Sequence, residues 1–103
     1  MNKYIIFGAG QYGEKVAEYL GKQNIECFID NDKDKIGRTI YEIDIKDVDY
    51  LSETRKTVII ALTGNSLLSV MEQLNKKILK IICYGSINFQ SYLMLKIRKI
   101  FIF

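Results

Sequence analysis

Three glycines near the start of the chain have the spacing of a phosphate-binding loop. Gly8, Gly10 and Gly13 lie within IIFGAGQYGEKVAEYL and complete the pattern G-x-G-x-x-G. Between a strand and a helix, the first glycine permits a tight turn, the second admits a phosphate, and the third lets the helix pack closely. The alternative is a tight turn that binds nothing. The candidate binding residues of this loop are Gly8, Ala9, Gly10, Gln11, Tyr12 and Gly13.

An acidic residue follows at the distance that nucleotide-binding loops require. Asp30 ends the predicted second strand, and its carboxylate can accept hydrogen bonds from ribose hydroxyls. The same charge repels a 2′-phosphate, so the pattern favours NAD, or another nucleotide with an unphosphorylated ribose, over NADP. Asn31 follows directly and is included among the candidate binding residues.

A second loop is expected at the same crevice. Thr63 and Asn65 follow the apolar run TVIIAL, and ligands of open α/β sheets bind at the carboxyl ends of strands. Both side chains could contact a phosphate, a ribose or a sugar. Ordinary capping of the following helix by Asn65 or Ser66 explains the same residues equally well.

The residue types restrict other chemistry. The chain has no histidine, which removes Ser-His and Cys-His nucleophilic schemes and most zinc chemistry. The run Asp30-x-Asp32-x-Asp34 lacks the glycine and glutamate of an EF-hand, since Lys35 and Tyr41 stand in those places. We therefore predict no metal site and no catalytic residue, and whether the protein is an enzyme stays open. Cys27 and Cys83 lie in apolar runs and are interpreted as buried thiols of a reducing compartment.

The elements that must position these residues follow from hydrophobic patterning. The predicted strands are Lys3–Phe7, Ile25–Ile29, Thr39–Ile43, Thr57–Leu62 and Lys80–Tyr84. The predicted helices are Gln11–Lys22, Lys46–Glu53 and Asn65–Lys77. Buried strands alternating with helices predict an α/β, Rossmann-like, doubly wound and mostly parallel sheet in three layers, with strand order 3-2-1-4-5.

The length of 103 residues allows one such domain, which we place at residues 1–85. Residues 86–103, SINFQSYLMLKIRKIFIF, form a basic and apolar tail. It is interpreted as a C-terminal helix that packs on the domain or joins two copies or a separate catalytic partner, and a membrane-surface helix is the third alternative. A homodimer is the predicted state.

The balance of charge and apolar residues excludes several classes of protein. The net charge of +3 is too small for a nucleic-acid-binding surface, so no nucleic acid partner is predicted. The charged residues of the tail interrupt any run long enough to span a membrane. No signal peptide is visible, and the predicted location is cytoplasmic.

The segments FGAGQYGEKVAEYL, CFIDND, KIGRTI and TVIIAL together resemble a known family. It is the small Rossmann-like domain of bacterial polysaccharide and nucleotide-sugar biosynthesis proteins, and the resemblance covers residues 3–85. Such domains precede sugar acyltransferases of the sialic-acid and bacillosamine type and nucleotide-sugar dehydratases. The resemblance implies a nucleotide or nucleotide-sugar at the Gly8–Gly13 loop and Asp30, in surface-glycan assembly.

Three functions stay open at this stage. The first is a nucleotide or nucleotide-sugar binding module that is not catalytic alone. The second is a nucleotide-sensing regulatory domain of the potassium-transport type. The third is the cofactor half of an NAD-dependent oxidoreductase or epimerase, whose substrate half would come from another chain.

Overall fold

A seven-stranded sheet with two helices makes up the computed structural model of the chain, which describes residues 3–53, 57–74, 80–83 and 100–102. The strands are β1 (Tyr4–Phe7), β2 (Ile25–Ile29), β3 (Thr39–Ile40), β4 (Ile43–Lys46), β5 (Thr57–Ile60), β6 (Lys80–Cys83) and β7 (Ile100–Ile102). The α-helices are α1 (Gln11–Leu20) and α2 (Gly64–Leu74), and 3₁₀ helices span Lys22–Asn24 and Val48–Glu53.

The sheet has the order β3-β4-β2-β1-β5-β6-β7. All neighbouring pairs are parallel except β3 and β4, which form an antiparallel hairpin. The predicted Rossmann-like α/β class is confirmed, and the predicted order of the four strands β2-β1-β5-β6 is confirmed with it. After β1 the chain adds β2 and β4 on one side of it and then β5 and β6 on the other, so the switch point, where such sheets bind ligands, lies between β1 and β5.

The third predicted strand is wrong in its bounds. Thr39–Ile43 is divided by a turn at Tyr41 and Glu42, and the strand that pairs with β2 is β4. The helix predicted from Lys46 is a 3₁₀ helix that begins at Val48. Residues alternate in IDIK, with Ile45 buried and Asp44 exposed, and this pattern makes a half-buried strand rather than the start of a helix.

The tail prediction is corrected where the structure describes it. Ile100–Ile102 is a strand, parallel to β6, and not the end of a helix. An apolar Ile-Phe-Ile triplet has high β propensity, and it pairs with the backbone groups that an edge strand would leave open. Residues 86–99 and Phe103, the remaining parts of the predicted tail helix, lie outside the described residues. The domain boundary near residue 85 and the homodimer stay predictions.

Two buried clusters lie on opposite faces of the sheet, which gives the three predicted layers. One packs α2 and the Val48–Glu53 helix against the sheet, and the other packs α1. Neighbours in β1 alternate between them: Ile5 and Phe7 belong to the first cluster and Ile6 to the second. Cys27 belongs to the first cluster as a free thiol, and its burial raises its pKa to about 12. The side chain of Cys83 lies outside the described residues.

Among the residues described, no helix is both long and apolar enough to cross a membrane. The helix α1 ends at Leu20, two residues before the predicted end at Lys22. The Gly21 N–H donates to the Ala17 carbonyl at 2.9 Å, and the Asn24 side-chain amide donates to the Leu20 carbonyl at 2.7 Å.

The hairpin between β3 and β4 folds back on α1. Its two turn residues, Tyr41 and Glu42, have φ angles of 54° and 67°. Tyr41 is held by α1, since its hydroxyl donates to Glu18 at 2.5 Å and the Lys22 ammonium lies 3.9 Å from its ring centre. Two-residue hairpins need positive φ at both positions, and glycine or asparagine usually supplies it.

Replacing the second turn residue by glycine should therefore stabilise the protein. Glu42→Gly relieves a left-handed backbone at an exposed side chain, and we expect a gain of about 1 kcal/mol in the free energy of unfolding. Urea unfolding measures it as a higher midpoint at unchanged slope. Asp44→Gly in β4 is the control and should lose about 0.5–1 kcal/mol. If the Glu42→Gly variant is less stable than the parent, the left-handed backbone at Glu42 is not a source of strain.

Tyr50 ties the Val48–Glu53 helix to β2. Its hydroxyl donates to Glu26 at 2.5 Å, and this hydrogen bond raises the pKa of Tyr50 from 10.0 to about 12. A raised pKa in the folded state means a stabilising contribution that is complete below pH 10 and is lost as the pH rises towards 12.

The stability difference between the parent and Tyr50→Phe should follow that window. We expect it to be largest below pH 10 and to shrink as the pH approaches 12, as measured by denaturant unfolding at several pH values. In a Glu26→Gln background the same tyrosine change should show less pH dependence. A difference that is constant across this range would show that the hydrogen bond does not stabilise the fold.

Candidate functional site

The glycine loop grows directly out of the sheet. β1 ends at Phe7, and the Gly8 N–H still donates to the Ile29 carbonyl of β2 at 2.8 Å. On the other side, the Phe7 carbonyl accepts the Ala61 N–H at 2.8 Å. The start of the loop is therefore fixed by both neighbouring strands, and α1 begins three residues later.

Two of the glycines are required by packing. Gly8 has a φ of 121°, and a Cβ there would lie 2.8 Å from the Ala61 carbonyl oxygen. A Cβ at Gly13 would overlap the Gly8 carbonyl oxygen, so the first turn of α1 lies directly against the loop. These are the turn and close-packing roles that the sequence predicts.

Gly10 differs from both. Its φ of −116° is extended backbone that any residue adopts, so conformation does not explain the glycine. A Cβ there would meet one group within 4 Å, the Lys35 ammonium at 3.8 Å. The space beside Gly10 lies next to the first N–H groups of α1, which is where a phosphate binds in loops of this kind.

Asp30 joins β2 to the glycine loop. Its Oδ2 accepts the Ala9 N–H at 2.8 Å, and its Oδ1 accepts the Asp32 N–H at 2.9 Å. Lys35 Nζ lies 4.0 Å from Oδ2. A carboxylate oxygen has two lone pairs, so each oxygen retains one acceptor site that a ribose hydroxyl can use.

A cleft of about 320 Å³ opens at the carboxyl ends of β1, β2 and β5. The cleft includes Gly8 of the glycine loop and Asp30, which follows β2. Its walls combine apolar side chains with several polar groups, as small-molecule sites do. The lining residues are Phe7, Gly8, Asp30, Asn31, Leu62, Asn65, Ser66, Ser69 and Val70.

Predicted residues from three separate loops meet at this cleft: Gly8, Asp30, Asn31 and Asn65. The prediction that Asn65 or Ser66 precedes α2 as its cap is wrong, because α2 begins at Gly64 and both residues lie in its first turn. Their side chains line the cleft. The other predicted residues are not among those that line the cleft. Ala9 donates its N–H to Asp30, Gly10 and Gly13 belong to the glycine loop and α1, and Gln11, Tyr12 and Thr63 are exposed.

Several polar residues at the site were not predicted. Ser66 and Ser69 are three residues apart on α2, and a helical wheel of the predicted helix would have shown them on one face. Gln73, one turn further, exchanges two hydrogen bonds with Asn31, at 2.9 and 3.3 Å. That pair joins the end of β2 to α2 beside the cleft. Lys35 had no signal in the sequence, because its place depends on how the loop after β2 folds.

The acidic run Asp30–Asp34 forms no metal site in the structure. Among residues 3–53, 57–74 and the short strands, no three His, Cys, Asp or Glu side chains are grouped to hold a metal ion. The Asp30–Asp34 run instead makes turns, since Asp30 and Asp32 each accept the N–H two residues later. Tyr92 and Lys96 have a Tyr-x-x-x-Lys spacing in the sequence, and both lie outside the described residues.

The parallel sheet, the switch point and the glycine loop define a Rossmann-like domain. The chain belongs to the C2185-like N-terminal family, whose model matches residues 1–74. No curated protein sequence matches the chain.

Solved structures show the same fold at low sequence identity. A Rex-family repressor, RSP, has a TM-score of 0.73 at 19% identity over 99% of this chain, and its complex with β-NAD⁺ and operator DNA has the same score. UDP-D-quinovosamine 4-dehydrogenase from Vibrio fischeri has a TM-score of 0.66 at 24% identity, over 95% of this chain and 88% of its own. The chain spans about half the length of RSP, 51% of it.

Substitutions of Gly13 and Gly10 should differ in their effect on stability. Gly13→Ala inserts a Cβ into the Gly8 carbonyl, and we expect a loss of about 3 kcal/mol in the free energy of unfolding. Gly10→Ala enters open space with suitable backbone and should change stability by less than about 1 kcal/mol. Denaturant unfolding of both variants is the measurement. Equal losses would show that Gly10 is also a packing glycine.

Proposed function

We propose that the chain is a nucleotide or nucleotide-sugar binding module of surface polysaccharide biosynthesis and is not catalytic alone. The observation that carries the proposal is Gly10. Neither packing nor backbone conformation explains this glycine, and the space that it leaves lies at the start of α1. A phosphate that needs close access to backbone N–H groups does explain it.

The glycine loop, Asp30 and the cleft could bind the phosphates, the ribose and the base of a nucleotide, respectively. Phosphates would bind at the first N–H groups of α1, beside Gly10. The ribose would lie at Asp30, whose carboxylate is already oriented by the Ala9 and Asp32 N–H groups. The base would enter the cleft against Phe7, Leu62 and Val70.

Two findings support the polysaccharide role in this proposal. The resemblance of the glycine loop and the FIDND segment to nucleotide-sugar proteins is one. The other is a fold shared with UDP-D-quinovosamine 4-dehydrogenase over nearly the whole of this chain. We propose a UDP-type nucleotide-sugar as the ligand, and a partner protein as the place of any chemical step.

NAD sensing is the second candidate function. The fold shared with RSP, which was solved with β-NAD⁺ and operator DNA, favours NAD as a ligand. The chain spans half of RSP at 19% identity, so the operator DNA in that complex is a partner of RSP and supports no DNA-binding proposal for this chain. Hydride transfer in an oxidoreductase is a third candidate, and a change of cofactor absorbance on adding substrate would distinguish it.

Calorimetric titration of the full chain with UDP-sugars, NAD, CoA and ATP tests the binding proposal. We expect saturable binding of a UDP-sugar, weakened at least about tenfold in Gly10→Val, because the valine fills the space that a phosphate would use. Gln23→Val, at the exposed 3₁₀ helix beyond α1, is the matched control and should bind as the parent does.

The possible outcomes separate the candidates. Binding of NAD alone would replace the UDP-sugar by the sensing function. Binding that is unchanged in Gly10→Val would place the ligand elsewhere. No binding by any of the ligands would leave the glycine loop as a tight turn.

A further inference from the structure

Lys35 lies over the glycine loop although it is distant in sequence. Its ammonium is 3.8 Å from where a Cβ on Gly10 would stand. Apart from the chain neighbours of Gly10, no other group of the described residues lies within 4 Å of that point. A phosphate that approaches the Gly10 backbone must therefore come into contact with Lys35 Nζ. A lysine ammonium is a compact charge with three donors, which suits a phosphate oxygen.

The loop after β2 holds the Lys35 backbone in this place. The Lys35 N–H donates to the Asp32 carbonyl at 3.0 Å, and the Lys35 carbonyl accepts the Arg38 N–H at 3.0 Å. The Gly37 N–H donates to Ile45 of β4 at 3.0 Å, which fastens the loop to the sheet. The lysine therefore extends from a series of hydrogen-bonded turns, and its side chain, 40% exposed, is free to adjust at its end.

The ion pair of Lys35 with Asp30 is weak enough to be exchanged. Nζ and Oδ2 are 4.0 Å apart, beyond direct hydrogen-bond distance. Asp30 does not depend on the lysine, because the Ala9 and Asp32 N–H groups each donate to one of its oxygens. Moving the ammonium from Asp30 to a phosphate leaves no buried charge unpaired.

The surrounding charge makes this lysine necessary for an anionic ligand. Asp30, Asp32 and Asp34 precede it within five positions, and a diphosphate beside them would be repelled. The other basic residues of the loop, Lys33 and Arg38, are exposed. The fold of the loop after β2 places the ammonium of Lys35 next to Gly10.

We propose that Lys35 recognises the phosphates of a nucleoside diphosphate, by exchanging its contact with Asp30 for one with the phosphate bound at Gly10. This inference rests on the proposed nucleotide-binding function and specifies its ligand class. UDP-sugars and NAD both contain a nucleoside diphosphate. In this proposal Lys35 binds the diphosphate, which both ligands have, and the cleft binds the base, which differs between them.

Paired titrations of the full chain with UDP, ADP, uridine and adenosine test the proposal. Lys35→Gln should weaken the diphosphate that the parent binds by about tenfold, the effect of losing one charged hydrogen bond. Binding of the corresponding nucleoside should change by less than about twofold, because it carries no phosphate. Lys33→Gln, two residues away and exposed, is the matched control and should bind as the parent does.

Lys35→Arg decides between charge and shape. The arginine keeps the positive charge and should recover most of the diphosphate affinity that Lys35→Gln loses. This comparison needs only diphosphate titrations, so it tests the proposal even if nucleoside binding is too weak to measure. Comparison of UDP with ADP shows which base the cleft accepts, and so distinguishes a UDP-sugar from NAD as the source of the diphosphate.

Failure of this inference differs from failure of the proposed function. If the parent binds UDP or ADP and Lys35→Gln binds it equally well, the lysine has no role and the binding function stands. An equal loss for diphosphate and nucleoside, or in Lys33→Gln, would also overturn the role of Lys35. If the parent binds neither diphosphate, the nucleotide-binding function falls, and the proposal for Lys35 falls with it.

Discussion

The hydrogen bond from the Ala9 N–H to the Asp30 carboxylate is the contact on which the candidate site depends. It joins the glycine loop after β1 to the end of β2 across 21 positions of sequence, at 2.8 Å. The second carboxylate oxygen orders the following turn through the Asp32 N–H. One side chain thereby fixes two loops relative to each other, and a hydrogen bond to an ionised acceptor is stronger than a neutral one.

The packing glycines extend this constraint. Gly8 and Gly13 bring α1 against the loop, so the N-terminal N–H groups of α1 are held beside Gly10. The turn series after Asp32 places Lys35 over the same point, and α2 closes the cleft on the side of β5. The proposed phosphate site at Gly10 and the proposed ribose acceptor Asp30 are therefore positioned mainly by backbone geometry.

Predictions from sequence succeeded where the pattern was local and strong. β2 has the predicted bounds, and β1, β5 and α2 have them within a few residues, because buried apolar runs and a helical stripe are hard to mistake. The third strand was misplaced because TIYEIDIK has apolar residues on both sides of a turn whose residues, Tyr41 and Glu42, are not turn formers. The contact of Tyr41 with α1 makes that turn possible, and it is a tertiary contact.

The amino-acid sequence by itself determined the Rossmann-like class, the glycine loop and the acid at the end of β2, because each is encoded by neighbouring residues and standard spacing. The tertiary structure alone decided that Asp30 bonds to the loop, that Lys35 lies at Gly10, and that Ser66 and Ser69 face the cleft. Those places depend on how non-adjacent loops fold against each other. Hydrophobic periodicity says which face of an element is buried, and it does not specify which polar groups meet at the ends of the strands.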